Sequence, residues 1–339
     1  STDIYANADT INLINGINSV YTKKGGNTIN IKSYDAGNAA VNTIYLQKGN
    51  NTVDLDGDNN AKKANAIIHI TSGKNIIDAK GYSFVDINTI NKEGKVVNLK
   101  TAQTLNISEN GIVKTVQLGK GNDIITNSSN ANEEGYEGFY SGHGTYAGAG
   151  NDKFYISNGK NKFFHGQDGS DYFEITSGEN HKIRGGLGND TIVINGGSNL
   201  DIQCNGGNDK ITINGGYENT INGDDGNDIY NIFKGGSSII NEGENKNDKN
   251  VYNIKKDYSG TITVKDASKS SKVVLDKSYK LSSSGNVENN GIITDSKTVS
   301  LWSNYTFDEI GFGDNRVISL IVNLQDKIEN NARNSVNIY

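Results

Sequence analysis

Asp152, Asp171, Asp190, Asp209 and Asp228 recur at an unbroken spacing of 19 residues. Each stands in nearly the same phrase: AGAGNDKFYI, GQDGSDYFEI, GGLGNDTIVI, CNGGNDKITI and GDDGNDIYNI. A carboxylate held at a fixed place in a glycine-rich turn offers hard oxygen to a cation. Glycine lets the turn visit positive φ and lets main-chain carbonyls approach an ion closely. Calcium takes roughly six to eight oxygen ligands, more than one such turn supplies but within reach of two stacked turns. The residues that could ligate it fall turn by turn. Gly119, Gly121 and Asp123 form the first, then Gly148, Gly150 and Asp152, then Gly166, Asp168, Gly169 and Asp171. Gly185, Gly186, Gly188 and Asp190 follow, then Gly206, Gly207 and Asp209, then Gly223, Asp225, Gly226 and Asp228. Gly185 to Val193 is the cleanest turn, and Cys204 and Asn205 replace the glycine pair of the next one, which is expected to bind less well.

The elements that must position these turns are short strands. Phe154, Phe173, Ile192, Ile211 and Tyr230 form one column, and Ile156, Ile175, Ile194, Ile213 and Ile232 another two residues on. Tyr155, Glu174, Val193, Thr212 and Asn231 lie between them, so large apolar residues point one way and mixed residues the other. A second inward column, Phe164, Ile183, Ile202 and Ile221, gives each coil a second strand. A fixed period with this alternation predicts an all-β chain, a parallel β-roll or β-solenoid whose strands pair one coil away.

The opposite turns carry Lys162, His181, Leu200 and Asn219 where the aspartates would be, so calcium is expected along one edge only. Asn161, Asn180 and Asn199 there predict a side-chain amide ladder, and His165 and His181 are expected at outward or turn positions. Cys204 aligns with Gly166, Gly185 and Gly223 on an inward column and reads as a small buried residue.

The same rhythm runs earlier with neutral residues. Asp9, Asn18 and Asn27 precede Thr-Ile or Ser-Val nine residues apart, and Asn42, Asn51, Asn65 and Asn75 continue it. An amide can hold a turn but brings no charge to a cation. The expected organisation is therefore a metal-poor solenoid over 1–117, a calcium-binding roll over 118–232 with an insertion within about 127–146, and a C-terminal cap over 233–339. The repeat pattern fades after Ile232. Val317, Ile321, Leu324 and Ile328 share one helical face, so the mixed cap is expected to end in a short helix over 317–333.

Composition sets bounds. Among 339 residues there are 41 Gly, no Pro, no Met and one Cys, with a net charge of -6. Absent Pro suits strands that must all donate to ladders. There is no concentrated basic stripe for nucleic acid and no apolar run long enough to span a membrane. A single Cys permits no internal disulfide. The missing Met suggests an excised or processed piece, and the acidic, almost Cys-free chain suits a calcium-rich exterior.

The repeats at 118–126 and 147–231 resemble those of the RTX (repeats-in-toxin) family of bacterial secreted proteins. GNDIYNIFKGGSSIINEGE at 226–244 and TVSLWSNYTFDEIGFGDNRVISL at 298–320 are similar to the segments that follow its rolls, with Trp302, Ile310 and Phe312 as core. The resemblance implies a calcium-driven β-roll, folding after export, and type I secretion through a C-terminal signal. No HExxH and no G-x-S-x-G stands in the chain, so no catalytic role is expected. The expected function is a structural or adhesive module of a surface layer or adhesin. Its partners are calcium ions, the type I secretion machinery, and further copies of the chain or a host or cell-surface glycan or protein. The alternatives are the C-terminal secretion and receptor-binding region of an RTX cytolysin, and an extracellular enzyme acting on polysaccharide.

Without metal, carboxylates on neighbouring coils would lie roughly 5 Å apart, the strand spacing. At an effective dielectric of 20 each pair would repel by about 3 kcal/mol. Folding of this block is therefore expected to require the cation.

Overall fold

The structure is a computed structural model. It describes residues 2–33, 40–57, 64–81, 84–91, 93–109, 111–133, 143–234, 236–242, 247–259, 261–265 and 271–275, and beyond them only the strands at 279–281, 287–289, 298–302, 310–312, 317–318 and 336–337. No helix occurs among the described residues. The chain divides into two compact units, 1–173 with 178–182, and 174–177 with 183–339.

In the first unit, successive strands alternate between two parallel sheets. Thr2–Asn7, Asn18–Lys24, Ala40–Leu46, Ala64–Ile70, Phe84–Asn88, Val113–Gln117, Gly144–Ala149 and Phe163–Asp168 make one. Thr10–Ile14, Thr28–Ser33, Thr52–Gly57, Ile76–Lys80, Thr104–Ser108, Ile124–Asn127 and Lys153–Ile156 make the other. In the second of these sheets register survives every change in coil length, because the extra residues fall outside the paired stretch, whereas the first takes one as a bulge between Val113 and Thr115. Thr10 pairs with Thr28, Thr28 with Thr52, Thr52 with Ile76, Ile76 with Thr104, Thr104 with Ile124, and Ile124 with Lys153. A slip of one residue would turn the whole inward row to solvent, so the thin core fixes the register.

The second unit repeats the scheme. Asp201–Gly206, Thr220–Asn222, Ser238–Asn241, Thr261–Lys265 and Thr298–Trp302 alternate with Thr191–Ile194, Lys210–Ile213, Ile229–Lys234, Val251–Ser259, Lys272–Leu275 and Ile310–Phe312. All these neighbours are parallel.

The expected inward columns are the core. Phe154, Phe164, Phe173, Ile192, Ile202, Ile211, Ile221 and Tyr230 are buried. Phe154 stacks on Phe173 with centroids 4.4 Å apart and meets Phe164 edge-on across the core at 6.1 Å. Tyr230 stacks on Tyr252 at 5.1 Å. Burying one such Ile or Phe stabilises by about 1.5–3 kcal/mol, repeated at every layer.

Two expectations need correction. The coils do not stop at Ile232: Val251–Ser259 and Lys272–Leu275 continue the parallel register of Ile229–Lys234. The glycine phrase is lost there, but period-two apolar alternation alone suffices for a strand. Val317 and Ile318 form an antiparallel strand against Gly311 and Ile310 rather than opening a helix. The remainder of the expected helix, 319–333, lies outside the described residues, as do 134–142 of the expected insertion. Trp302, Ile310 and Phe312 all lie on strands.

Candidate metal-binding edge

The aspartates sit on an edge that begins as an asparagine ladder. In the first unit the side-chain amide of Asn27 donates to Asn51 Oδ1 at 2.8 Å, Asn51 to Asn75 Oδ1 at 2.9 Å, and Asn75 to Gln103 Oε1 at 2.9 Å. Each of these asparagines also turns its amide back on its own turn. Asn51 Nδ2 donates to the carbonyls of Lys48 and Gly49, and Asn75 Nδ2 to those of Ser72 and Gly73. The amide nitrogen thus neutralises carbonyl oxygens that would otherwise be buried without donors.

Aspartate then takes over the same place. Gln103 N–H donates to Asp123 Oδ1 at 2.6 Å, Asp123 N–H to Asp152 Oδ1 at 2.6 Å, and Asp152 N–H to Asp171 Oδ1 at 2.8 Å. In the second unit Asp190 N–H donates to Asp209 Oδ1 and Asp209 N–H to Asp228 Oδ1, both at 2.7 Å. Asp228 N–H donates to Asn250 Oδ1 at 2.8 Å, and Asn250 N–H to Ser271 Oγ at 3.0 Å, so the ladder returns to neutral residues. All six aspartates are at most 2% exposed.

The first carboxylate oxygen therefore does what the Asn carbonyl did. The second stands where the amide nitrogen stood and has nothing to donate. In Asp123, Asp152, Asp209 and Asp228 this Oδ2 is buried and accepts no hydrogen bond. A bare buried oxygen costs about 1–3 kcal/mol, and more if charged. Burial accordingly raises these carboxyls far above the usual range: Asp123 to about 8, Asp171 and Asp228 to about 7, and Asp152 and Asp209 to about 6. The N–H donated to each carboxylate opposes the shift, and neighbouring acidic groups add to it for Asp123, Asp171, Asp209 and Asp228.

Glycine is required here by contact. A Cβ on Gly169 would overlap the carbonyl oxygen of Gly150, and one on Gly226 that of Gly207. Both glycines have φ near +137°. Gly185 leaves room for Asp190 Oδ2, and the Cys204 carbonyl closes on the same space. By contrast, Gly148 and Gly186 share their positive-φ place with Gln167, Asn205 and Asp224, so Asn205 itself takes the turn expected of a glycine. Gly119 approaches the Leu99 carbonyl, Gly121 that of Thr101, and Gly188 presents its carbonyl to Gly207. Gly166 is buried on its strand, whereas a Cβ on Gly206 would meet nothing nearer than Leu187 Cδ2 at 3.8 Å.

Asp168 and Asp225 do not join the buried row. Their side chains are exposed, and their carbonyls reach the turn, accepting the N–H groups of Gly150 and Gly207 at 2.8 and 2.9 Å. Outside the Asp row runs a second ladder, in which Asn151 Oδ1 accepts from Ser170 N–H and Asn208 Oδ1 from Asn227 N–H.

One residue on this edge was not anticipated. Glu242, 2% exposed, follows Gly223 by one 19-residue period and takes the place of a small residue on its column. Its carboxylate accepts from the Tyr230 hydroxyl and from Asn250 Nδ2, and with Asp228 Oδ2 it faces Gly223. Extending the column one period further would have found it. Cys204 is fully buried as expected, and burial with the surrounding carboxylates raises its thiol pKa.

The opposite edge differs from expectation. Asn161, Asn180 and Asn199 are left-handed turn residues with φ of 56, 56 and 52°, a conformation Asn tolerates, and are not a continuous amide ladder. Asn161 bonds Asn132 at 2.6 Å. The inward place belongs to the next residue, so His181 stands at a turn position as expected but is buried there, while His165 is half-buried on its strand.

Among the described residues no three His, Cys, Asp or Glu side chains cluster as a metal site. A cation on this edge would therefore rest on one carboxylate per turn and on main-chain oxygens. The donor set suits that: hard oxygen only, with a buried carboxylate oxygen that lacks a donor on Asp123, Asp152, Asp209 and Asp228. Away from this edge, Asp56 pairs with Lys32 at 3.7 Å. The chain matches no known family model, no curated protein and no solved structure.

Proposed function

We propose that the chain is a calcium-dependent β-roll, a structural or adhesive part of a bacterial secreted or surface protein of the RTX kind, that completes its folding on meeting calcium outside the cell. The observation carrying this reading is the substitution of Asp for Asn in an otherwise amide-linked ladder. The substitution keeps the inter-coil hydrogen bond and replaces a donor by an oxygen with no donor of its own. A neutral solenoid needs no such change, as the Asn27–Asn51–Asn75 run demonstrates. A divalent cation between successive turns would answer every one of these oxygens together with nearby carbonyls. The ion supplies charge neutralisation; the chain supplies spacing, oxygen and exclusion of water.

The low calcium inside a cell and the higher level outside make such an edge a compartment-dependent clamp, since a ligand bound only by the folded form stabilises it by mass action. Far-UV circular dichroism during a calcium titration of the chelated protein tests this. Growth of β signal with calcium, and its reversal by EDTA, is expected. Full β signal in EDTA at pH 8, unchanged on adding calcium, sinks the proposal.

A further inference from the structure

On the edge of the first unit opposite the aspartates, a lysine is sealed in the core. Lys162 is 1% exposed, and its Nζ donates to Asn127 Oδ1 at 2.7 Å and to the Ser129 carbonyl at 2.5 Å. Asn127 is 2% exposed and Glu133 3%. Asn127 Oδ1 accepts a second hydrogen bond, from Ser129 N–H at 3.2 Å. Gly159 roofs the site: a Cβ there would stand 2.6 Å from Lys162 Cε. His181 closes the other side, its Nδ1 accepting Lys162 N–H at 3.3 Å and its Nε2 bonding the Asn158 carbonyl at 3.0 Å.

We propose that Lys162 and Asn127 join autocatalytically in an intramolecular isopeptide bond, with Glu133 carrying the proton. With Nζ 2.7 Å from Asn127 Oδ1 and a C=O bond of about 1.2 Å, the amine stands no more than about 3.9 Å from the carbon it would attack, and holding the two groups together lowers the entropic part of the barrier. Ser129 N–H polarises the same oxygen and is placed to stabilise the oxyanion of a tetrahedral intermediate. The neutral amine attacks Asn127 Cγ, the Nζ–Cγ bond forms and the Cγ–Nδ2 bond breaks. Of the amine's two protons one stays on the new amide nitrogen and the other passes by way of Glu133 to Nδ2, which leaves as ammonia; no oxidant and no water are consumed.

Charge supports the step. Burial lowers the Lys162 amine to about 8, opposed by Glu133, so the nucleophilic form is within reach near neutral pH. Burial also lowers His181, to about 4, which keeps it an uncharged wall. The bond would staple the end of the strand Ile124–Asn127 to a turn 35 residues on.

Mass spectrometry of the full chain, purified in calcium at pH 8, tests this. The intact mass should fall short of the sequence mass by one ammonia, and digestion should yield a branched peptide joining residues 127 and 162. Lys162→Arg and Glu133→Gln, checked for the wild-type far-UV spectrum, should show the full mass. Recovery of separate, unmodified peptides bearing Asn127 and Lys162 from folded wild-type protein overturns the proposal. So does an ammonia loss that maps to an Asn–Gly succinimide elsewhere. A branched peptide persisting in Glu133→Gln overturns the role given to Glu133.

Discussion

Asp209 donates its main-chain N–H to Asp228 Oδ1 at 2.7 Å, the bond that Asn51 makes with Asn75 Oδ1 at 3.1 Å seven coils earlier in the same kind of turn. Two acidic residues thus occupy amide places, and the edge differs from its neutral forerunner by one atom per coil. On the proposed reading, that difference sets how the ladder should respond to metal, to pH and to substitution.

Replacing Asp209 by Asn restores the missing donor. We expect the chelated protein to gain stability at pH 8, by up to about 3 kcal/mol given a carboxyl shifted from 3.8 to about 6. The same variant should gain less from calcium than wild type. Urea unfolding with and without calcium measures both; a loss of stability in chelator would contradict the ladder argument.

The pH dependence of the chelated protein should run opposite to ordinary acid denaturation. Burial raises Asp123 to about 8, Asp171 and Asp228 to about 7, and Asp152 and Asp209 to about 6 in the folded chain. The folded form therefore holds more protons than the unfolded form between pH 3.8 and these values. Stability is fully present below the unfolded pKa and lost as pH rises through 6 to 8. Thermal melts in EDTA should give a higher midpoint at pH 5 than at pH 8, and calcium should narrow the gap.

Gly226→Ala should disrupt the turn whatever the metal content, since the added Cβ overlaps the Gly207 carbonyl oxygen and φ is +137°. A cost of about 3 kcal/mol or more is expected. Gly206→Ala, with open space around its Cβ, should cost little, and paired melting curves separate the two.

Cys204 is fully buried with a raised pKa, so it should resist alkylation in the folded state. Adding EDTA at pH 8 should expose it. Iodoacetamide labelling followed by peptide mass analysis reads this; rapid labelling in saturating calcium would show that the coil around it is open.

The sequence by itself determined the coil. A 19-residue period with alternating apolar columns leaves one way to bury Phe154, Ile192 and Ile211, because a side-chain period of two admits no other face. It determined the aspartate edge too, since one carboxylate per period must line up when coils stack. It did not show which of two adjacent residues points inward on the other edge. Asn161 and Lys162 differ by one position, and only the left-handed turn at Asn161 sends the lysine into the core. The meeting of Lys162 with Asn127 and the approach of Glu242 to Asp228 likewise belong to tertiary structure. Both join residues from different coils, and the distance between coils is set by hydrogen bonds between strands rather than by any local pattern.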